Sequence, residues 1–431
     1  MHLSRLKLIL PLMVFATFLI PAAFAQEENS AVDPFAFRTP SLIFNREVNV
    51  DPFAYRGEPV KVGSFLVWPN VTWQKEYSTN ILATEDDEES DIITVIKPEV
   101  IIKKNIRNHE FILSLNTELR RYWDTSSENV ENYNARFEGN IEAKHGINIP
   151  AILSYRDGHL RRRDQNRLSN ADLSVEPLHN SALEAETGIV YKPKRLLLSL
   201  IGNYRQGRLE NSRLRNGTAL IRENRNVDAA KLVTTVGYDV SENLTPFAEI
   251  TYAQEDYVDE LSAATSRNND LTRFLLGANF NYRGLIIANI GVGMEERSYD
   301  SAAVDDTNSL SFDGNLTWQA DQKTKVNFDL SRQTYEDNVI IAGLTKTEAG
   351  LSVNHEILRD TFLRSHLKYE LKDYDNITRE DTIYDAGLGI LYIINPHFQL
   401  GADYNYITRD SNIQGLGMDE NIFMIRARTA L

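Results

Sequence analysis

Cysteine is absent from all 431 residues. That excludes a disulfide framework and thiolate metal sites, so an exported chain of this length must be held together by other means. After residue 25 there is also no apolar run of about 18 residues, the length a membrane-spanning helix requires. Enzyme signatures are missing as well. No HExxH, GxSxG or P-loop spacing occurs, and the eight histidines are scattered. His109, His145 and His397 fall in expected turns, and His159 and His179 in an expected loop, where a solvated side chain is the ordinary outcome. An active site assembled from distant strands, as β-barrel hydrolases build theirs, is the enzymatic alternative. The expectation is no enzymatic activity, no cofactor and no metal site. Positive charge is in deficit: 46 Lys and Arg against 61 Asp and Glu give a net charge of −15, unsuited to nucleic acid.

What is present begins with an export signal. Arg5 and Lys7 precede an apolar stretch, Leu8–Ile20, and Ala23-Phe24-Ala25 forms a small-x-small site before Gln26. An N-terminal membrane anchor is the alternative, but the apolar core is short for spanning. No cysteine follows the site, so the usual lipoprotein chemistry is excluded. Removing Met1–Ala25 takes Arg5 and Lys7 with it and moves the net charge to −17.

Past residue 62 the chain is full of segments that alternate with period two. In Tyr133–Lys144, Tyr, Ala, Phe, Gly, Ile and Ala share one face and Asn, Arg, Glu, Asn, Glu and Lys the other. Ser309–Gln319 sets Leu310, Phe312, Gly314, Leu316 and Trp318 opposite Ser311, Asp313, Asn315, Thr317 and Gln319. A strand with one apolar and one charged face must meet different solvents on its two sides. The segments run roughly 10–14 residues, long for a globular strand and suited to a tilted spanning strand.

Their connections alternate in length. Tight turns at Asn105–Asn108, His145–Asn148, Lys192–Arg195 and Arg283–Gly284 exchange with polar loops near Asp124–Asn132, Arg156–Asn180, Gln206–Asn226 and Glu255–Asn269. Short periplasmic turns and long external loops mark an antiparallel, up-and-down transmembrane β-barrel. About eighteen strands fit, with sixteen as the nearest alternative. The expected organisation is a signal peptide over 1–25, a periplasmic extension over 26–62 and an all-β barrel over 63–431. Tyr155, Tyr191, Tyr204, Tyr238, Tyr252, Tyr282, Tyr392, Tyr404 and Tyr406 fall near strand ends, where an interfacial girdle would sit, although tyrosine favours strands in general. The last strand, NIFMIRARTAL, alternates outward to Leu431, where such barrels usually end in an aromatic.

Two loops are rich in arginine. Arg161, Arg162, Arg163 and Arg167 crowd one, with Arg156 at its edge. Arg205, Arg208, Arg213 and Arg215 crowd the next, with Arg222 and Arg225 beyond them. Folded inward, these guanidinium groups would line a constriction and favour anionic solutes such as acidic sugars. Folded outward, they would pair with lipopolysaccharide phosphates. Glu85–Asp91, EDDEESD, reads as a solvated acidic loop, with divalent-cation binding as the alternative. A barrel this wide holds an aqueous lumen unless something plugs it. Passage of a polar solute or polymer therefore leads, with a non-conducting barrel serving adhesion or envelope assembly as the competing reading.

The extension holds one phrase twice: Val32–Arg38 and Val50–Arg56 both read V-D-P-F-A-[F/Y]-R. Asp33-Pro34 and Asp51-Pro52 favour turns, and Phe35 with Phe37, or Phe53 with Tyr55, places two rings on one side of an extended chain before Arg38 or Arg56. Such units would dock to a periplasmic partner or fold into the lumen, or form a duplicated passive leader.

From Val50 to Leu82, "VDPFAYRGEPVKVGSFLVWPNVTWQKEYSTNIL" resembles the opening of the putative β-barrel porin type 2 family. The carriers are Asp51-Pro52, Gly63-x-Phe65 with Pro69, Tyr77 with Asn80-Ile81, and Pro98 in the second strand. The resemblance implies a Gram-negative outer-membrane protein, often encoded with exopolysaccharide or capsule genes. Its implied partners are lipid and lipopolysaccharide, the barrel assembly machinery, and polysaccharide with periplasmic export proteins. No catalytic residues come with it. On physical grounds Gly63 would allow close chain approach, and Pro69 and Pro98 would kink or bulge the first two strands.

Overall fold

The computed structural model describes residues 57–144, 146–165, 167, 173–258, 266–302, 304–336, 343–375 and 377–430. The signal segment and both copies of the doubled phrase lie outside the described residues. Eighteen strands form the wall. The first six are β1 (Phe65–Ser78), β2 (Asp91–Ile106), β3 (His109–Tyr122), β4 (Val130–Lys144), β5 (Ile147–His159) and β6 (His179–Tyr191). The next six are β7 (Leu196–Leu209), β8 (Val227–Tyr238), β9 (Leu244–Tyr257), β10 (Asn269–Tyr282), β11 (Ile286–Tyr299) and β12 (Thr307–Gln319). The last six are β13 (Thr324–Glu336), β14 (Gly343–Leu358), β15 (Thr361–Tyr374), β16 (Glu380–Asn395), β17 (Phe398–Ser411) and β18 (Met418–Ala430).

Every strand pairs antiparallel with its sequence neighbours, and β18 returns to β1 from Asn70↔Ala430 to Ser78↔Ile422. Closure leaves no edge, which a sheet in hydrocarbon requires because nothing there can bond a free N–H or C=O. The period-two alternation then assigns the two faces. Tyr133 is 47% exposed on the outer face of β4, while Glu138 on the inner face is 4% exposed. Tyr155, Tyr191, Tyr238, Tyr252, Tyr282, Tyr392 and Tyr404 are exposed on the outer face, Tyr404 at mid-strand, while Tyr204 and Tyr406 are half-buried. Several periplasmic turns are two residues long. Arg107 and Asp360 adopt left-handed backbone there, as Arg283 does in the three-residue turn 283–285, the geometry that matches the strand twist.

The first strand carries the family-like motif, and the structure gives that motif a mechanical meaning. A short strand, Val60–Val62, folds back on β1 with Val62 opposite Phe65. It occupies the periplasmic edge of β1 below the end of β18. Gly63 makes this turn at φ +61°, with open space around it. Its requirement is thus a left-handed turn and not the close chain approach expected from sequence. At the other end, Tyr77 stacks on Phe423 of β18 with ring centroids 6.5 Å apart. Asn80, fully buried, donates to the carbonyls of Thr84 (2.7 Å) and Asp419 (3.0 Å) and accepts from the Thr84 amide (3.1 Å). Ser78 donates to Glu420 at 2.7 Å. These residues fasten the barrel to itself.

The expected bulge at Pro69 and Pro98 is not found. The β1–β2 ladder runs through Pro69↔Val100 and Val71↔Pro98 in unbroken register. On the far side of β2, pairing with β3 stops at Ile96↔Leu119 and resumes at Glu99↔Asn116 in the same register. Proline lacks the donor, so the ladder drops bonds there without gaining a residue. Register shifts occur instead beside turns, at Glu142/Lys144, Glu356/Leu358 and Ile393/Asn395.

Asn80→Ala strips three buried backbone groups of their partner at the seam. At ~1–3 kcal/mol for a stranded buried group, softened by relaxation, it is expected to lower stability by about 2 kcal/mol in urea unfolding from detergent. Asp86→Ala in the exposed part of the same loop is expected to change nothing measurable.

Candidate functional site

Beyond β5, Leu160 donates to the Leu178 carbonyl at 2.8 Å, and the described residues between them, 161–165, 167 and 173–177, turn into the barrel mouth. Apolar residues anchor it at both ends. Leu160 and Leu178 join Leu209, Val227, Ala229 and Tyr257 from the inner faces of β7, β8 and β9. Leu173 joins Ile81, Leu82, Ile93 and Val95 beside β1 and β2. With both ends held in apolar clusters, the arginine-rich stretch between them is carried inward despite its polarity.

Polar contacts tie this loop to the rest of the mouth. Arg162 forms a bidentate pair with Glu128 at 2.6 and 2.7 Å and donates to Ser174 at 2.7 Å. Arg163 reaches Glu420 on the inner face of β18 at 2.9 Å. Arg409 of β17 donates to the Arg163 carbonyl at 3.2 Å, and Arg379 donates to the Arg167 carbonyl at 2.8 Å. Arg167 donates to the Ala83 carbonyl. The loop therefore contacts β17, β18 and the loops after β1, β3 and β15, and it spans the lumen.

Arg161 differs from its neighbours. Its carbonyl accepts the Asp164 amide at 3.0 Å, but among the described residues its half-buried side chain makes no hydrogen bond or ion pair. Burial and then the like charges of Arg163 and Arg120 hold its guanidinium below the usual range, against the pull of Glu118 and Glu76. A positive charge so poorly compensated is one that a passing anion would neutralise. For Arg163 burial works the same way, but Glu420, Asp164 and Asp385 together outweigh it and raise the pKa. Asp164 is raised, first by burial, with Arg163 and Arg161 opposing.

The second arginine cluster divides. Arg205 is buried on the inner wall, 3.9 Å from Glu255. Arg208 has the outward parity of β7 and pairs with Asp228 at 2.6 Å on the outer rim. Arg213 and Arg215 are exposed, in a loop whose backbone clasps the first one: Val175 donates to the Arg213 carbonyl and Arg215 to that of Leu173. Of the two courses the sequence leaves open, Arg208 takes the outward one by strand parity, and Arg213 and Arg215 are exposed on a loop stacked over the first. The acidic loop is only partly solvated. Glu85 accepts the amides of Gly415 (2.6 Å) and Gly417 (3.2 Å), and Asp91 those of Trp123, Asp124 and Thr125.

Sequence reasoning missed Glu128, Arg379, Arg409 and Glu420, the partners that hold the loop. Each is remote in sequence, and only the inward parity of Glu420 and Arg409 was readable in advance. Glu420→Ala is expected to release the loop, lowering stability by ~1–3 kcal/mol for a stranded, partly buried arginine and increasing protease nicking within residues 160–178. Asp164 gives a pH test. A carboxyl whose folded pKa lies above its unfolded value contributes stability below the unfolded pKa, and that contribution is lost as pH rises through the folded one. Asp164→Asn is expected to match the parent near pH 4 and exceed it in urea midpoint at pH 7.

The chain resembles solved barrels at low identity. It is 8% identical to the FrpB iron transporter of Neisseria meningitidis, covering 80% of this chain and 62% of that one, with TM-score 0.45. It is 10% identical to Pseudomonas aeruginosa OpdL over 86% of this chain and 100% of that one, with TM-score 0.42. A mutant of the P. aeruginosa ferric enterobactin receptor PfeA is 9% identical over 85% and 80%, with TM-score 0.46. Likenesses at this level carry no argument about function. The comparison with curated proteins found no match. The family model described as putative beta-barrel porin 2 matches residues 51–431, from the second copy of the doubled phrase to the last strand. The chain belongs to that family of outer-membrane, porin-like β-barrels.

Proposed function

We propose that this protein is a loop-constricted pore that passes polar, preferentially anionic solutes, acidic saccharides included, across the outer membrane. The observation that carries the reading is Arg161: a lumen-side guanidinium on a loop that spans the mouth, without an ion-pair partner among the described residues. The surrounding wall is polar and largely neutralised in place. Lys97 pairs with Glu118 at 2.8 Å, Arg273 with Glu249 at 3.4 Å and Arg426 with Asp403 at 3.3 Å. In such a lumen one uncompensated charge biases which ions enter. Export of an exopolysaccharide is the version of this reading that the family association favours. The export signal and its removal after Ala25 belong to the same proposal. The competing reading is a barrel that the loop closes, serving adhesion or envelope assembly.

Purified, folded protein in planar bilayers is expected to conduct and to prefer anions. Arg161→Ala is expected to lower the anion-to-cation permeability ratio about threefold, roughly the ~0.7 kcal/mol of one screened charge. Acidic oligosaccharides are expected to block more strongly than neutral ones, with and without residues 26–62. Absence of current in both the parent and Glu420→Ala would establish the closed-barrel reading instead.

A further inference from the structure

One seam of the wall is built differently from the others. Strands β12 and β13 pair only from Phe312↔Arg332 to Gln319↔Lys325. Toward the external end the ladder stops, and residues 307–311 of β12 have no backbone partners among 333–336 of β13, although both stretches are extended. β12 stays paired with β11 to Arg297↔Thr307, and β13 stays paired with β14 to Glu336↔Gly343. The two strands part while each holds its other neighbour.

Side chains from β11 take the place of the missing ladder. Glu295 accepts from the backbone amide of Thr334 at 2.7 Å and also from its hydroxyl. Arg297 donates to the Thr334 carbonyl at 3.1 Å and to its hydroxyl at 3.2 Å. Both side chains lie on the inner face and must cross β12 to reach β13. They cross where β12 presents Ser309 and Ser311, the residues opposite Glu295 and Gly293. Arg297 is itself steered by Glu255 at 3.0 Å and Asn269 at 2.6 Å. Tyr299 donates to Glu336, and Thr307 donates to Asp375 at 3.2 Å, completing the closure at the rim.

Backbone ladders in a barrel open only by exposing many groups to hydrocarbon together. A seam held by side chains opens by rotamer change: Glu295 and Arg297 can turn back to partners on their own face, and Ser311, which donates to the Arg332 carbonyl at 3.1 Å, can release it. We propose that β12 and β13 form a lateral gate in the external half of the wall, latched by Glu295 and Arg297. The gate would connect the polar lumen to the lipid. Its inner margin carries Asp313, Asn315 and Ser331; on the outer side β12 presents Leu310, backed by Met294 and Val292 of β11, each about half exposed, and β13 presents Arg332. A molecule that uses such an opening has a polar part for one side and an apolar chain for the other. The ligand class is therefore an amphiphile of the glycolipid kind.

The absence of cysteine makes the test clean. In vesicles, hydrogen exchange of 308–311 and 333–336 is expected to be at least tenfold faster than at the matching external ends of β9 and β10. Glu295→Ala or Arg297→Ala is expected to raise it further at this seam alone. A dansylated undecyl maltoside serves as the amphiphile. Bridging Ser311→Cys to Gln333→Cys with a short bismaleimide is expected to slow its exchange between protein and lipid at least tenfold. The same bridge between Ile250→Cys and Phe274→Cys, across the intact β9–β10 seam, should leave that rate unchanged. The gate is refuted if exchange at 308–311 equals that at β9–β10, or if both bridges act alike. Both readouts are independent of ion conductance, so failure of the gate leaves the pore reading standing.

Discussion

Every backbone N–H and C=O that crosses the hydrocarbon must find a partner within the protein, and one junction, β18 against β1, decides whether all of them do. Nine residue pairs make that junction. Without it the sheet would have two edges in lipid. Local devices concentrate there: the Tyr77–Phe423 stack outside, Asn80 and Ser78 inside, and the Val60–Val62 strand where β18 runs out. Residues identified as a family-like motif thus turn out to be the fastening of the cylinder. That is a structural reason for a phrase that looked like a label.

Closure also creates the chemistry of the interior. Once alternate side chains all point into one confined volume, charges that would be indifferent on a surface must be compensated. The inner wall accordingly carries paired acids and bases at strand-to-strand distance. The loop after β5 extends the same logic. Apolar residues at its ends carry it inward, Arg162 and Arg163 meet carboxylates supplied by other elements, and backbone carbonyls receive Arg379 and Arg409. Arg161 stands out only against this background of compensation. Its significance comes from its neighbours being satisfied.

The ladder constraint is relaxed at two kinds of place, with different solutions. At Pro98 a donor is missing by chemistry, and the structure lets a few pairs lapse without disturbing register. At the external end of β12 and β13 nothing in the residues prevents pairing, yet the strands separate and charged side chains satisfy the exposed backbone. The first is tolerance of a residue. The second is an arrangement that trades a cooperative ladder for movable side chains.

The sequence by itself determined the class, a strand number of about eighteen, the sense of each face and the alternation of short and long connections. All of these follow from a period of two and from local turn chemistry, which are properties of neighbours in the chain. The alternation in Tyr133–Lys144 and Ser309–Gln319 was enough to say which residues face lipid. What the tertiary structure alone decided was every contact between distant elements. The inward course of residues 160–165 and 173–178 depends on Leu160 and Leu173 finding apolar partners on β7–β9 and on β2, which no local pattern announces. The outward placement of Arg208 depends on parity, but that of Arg213 and Arg215 depends on one loop stacking on another. The exchange of backbone for side-chain bonds at β12 and β13 was signalled only by a lapse in alternation, since Arg332, Thr334 and Glu336 follow Phe328 and Leu330 on the outward parity of β13; their partners on β11 could not be read. Periodicity records which side of a sheet a residue occupies; closure of the sheet into a cylinder determines what it meets there.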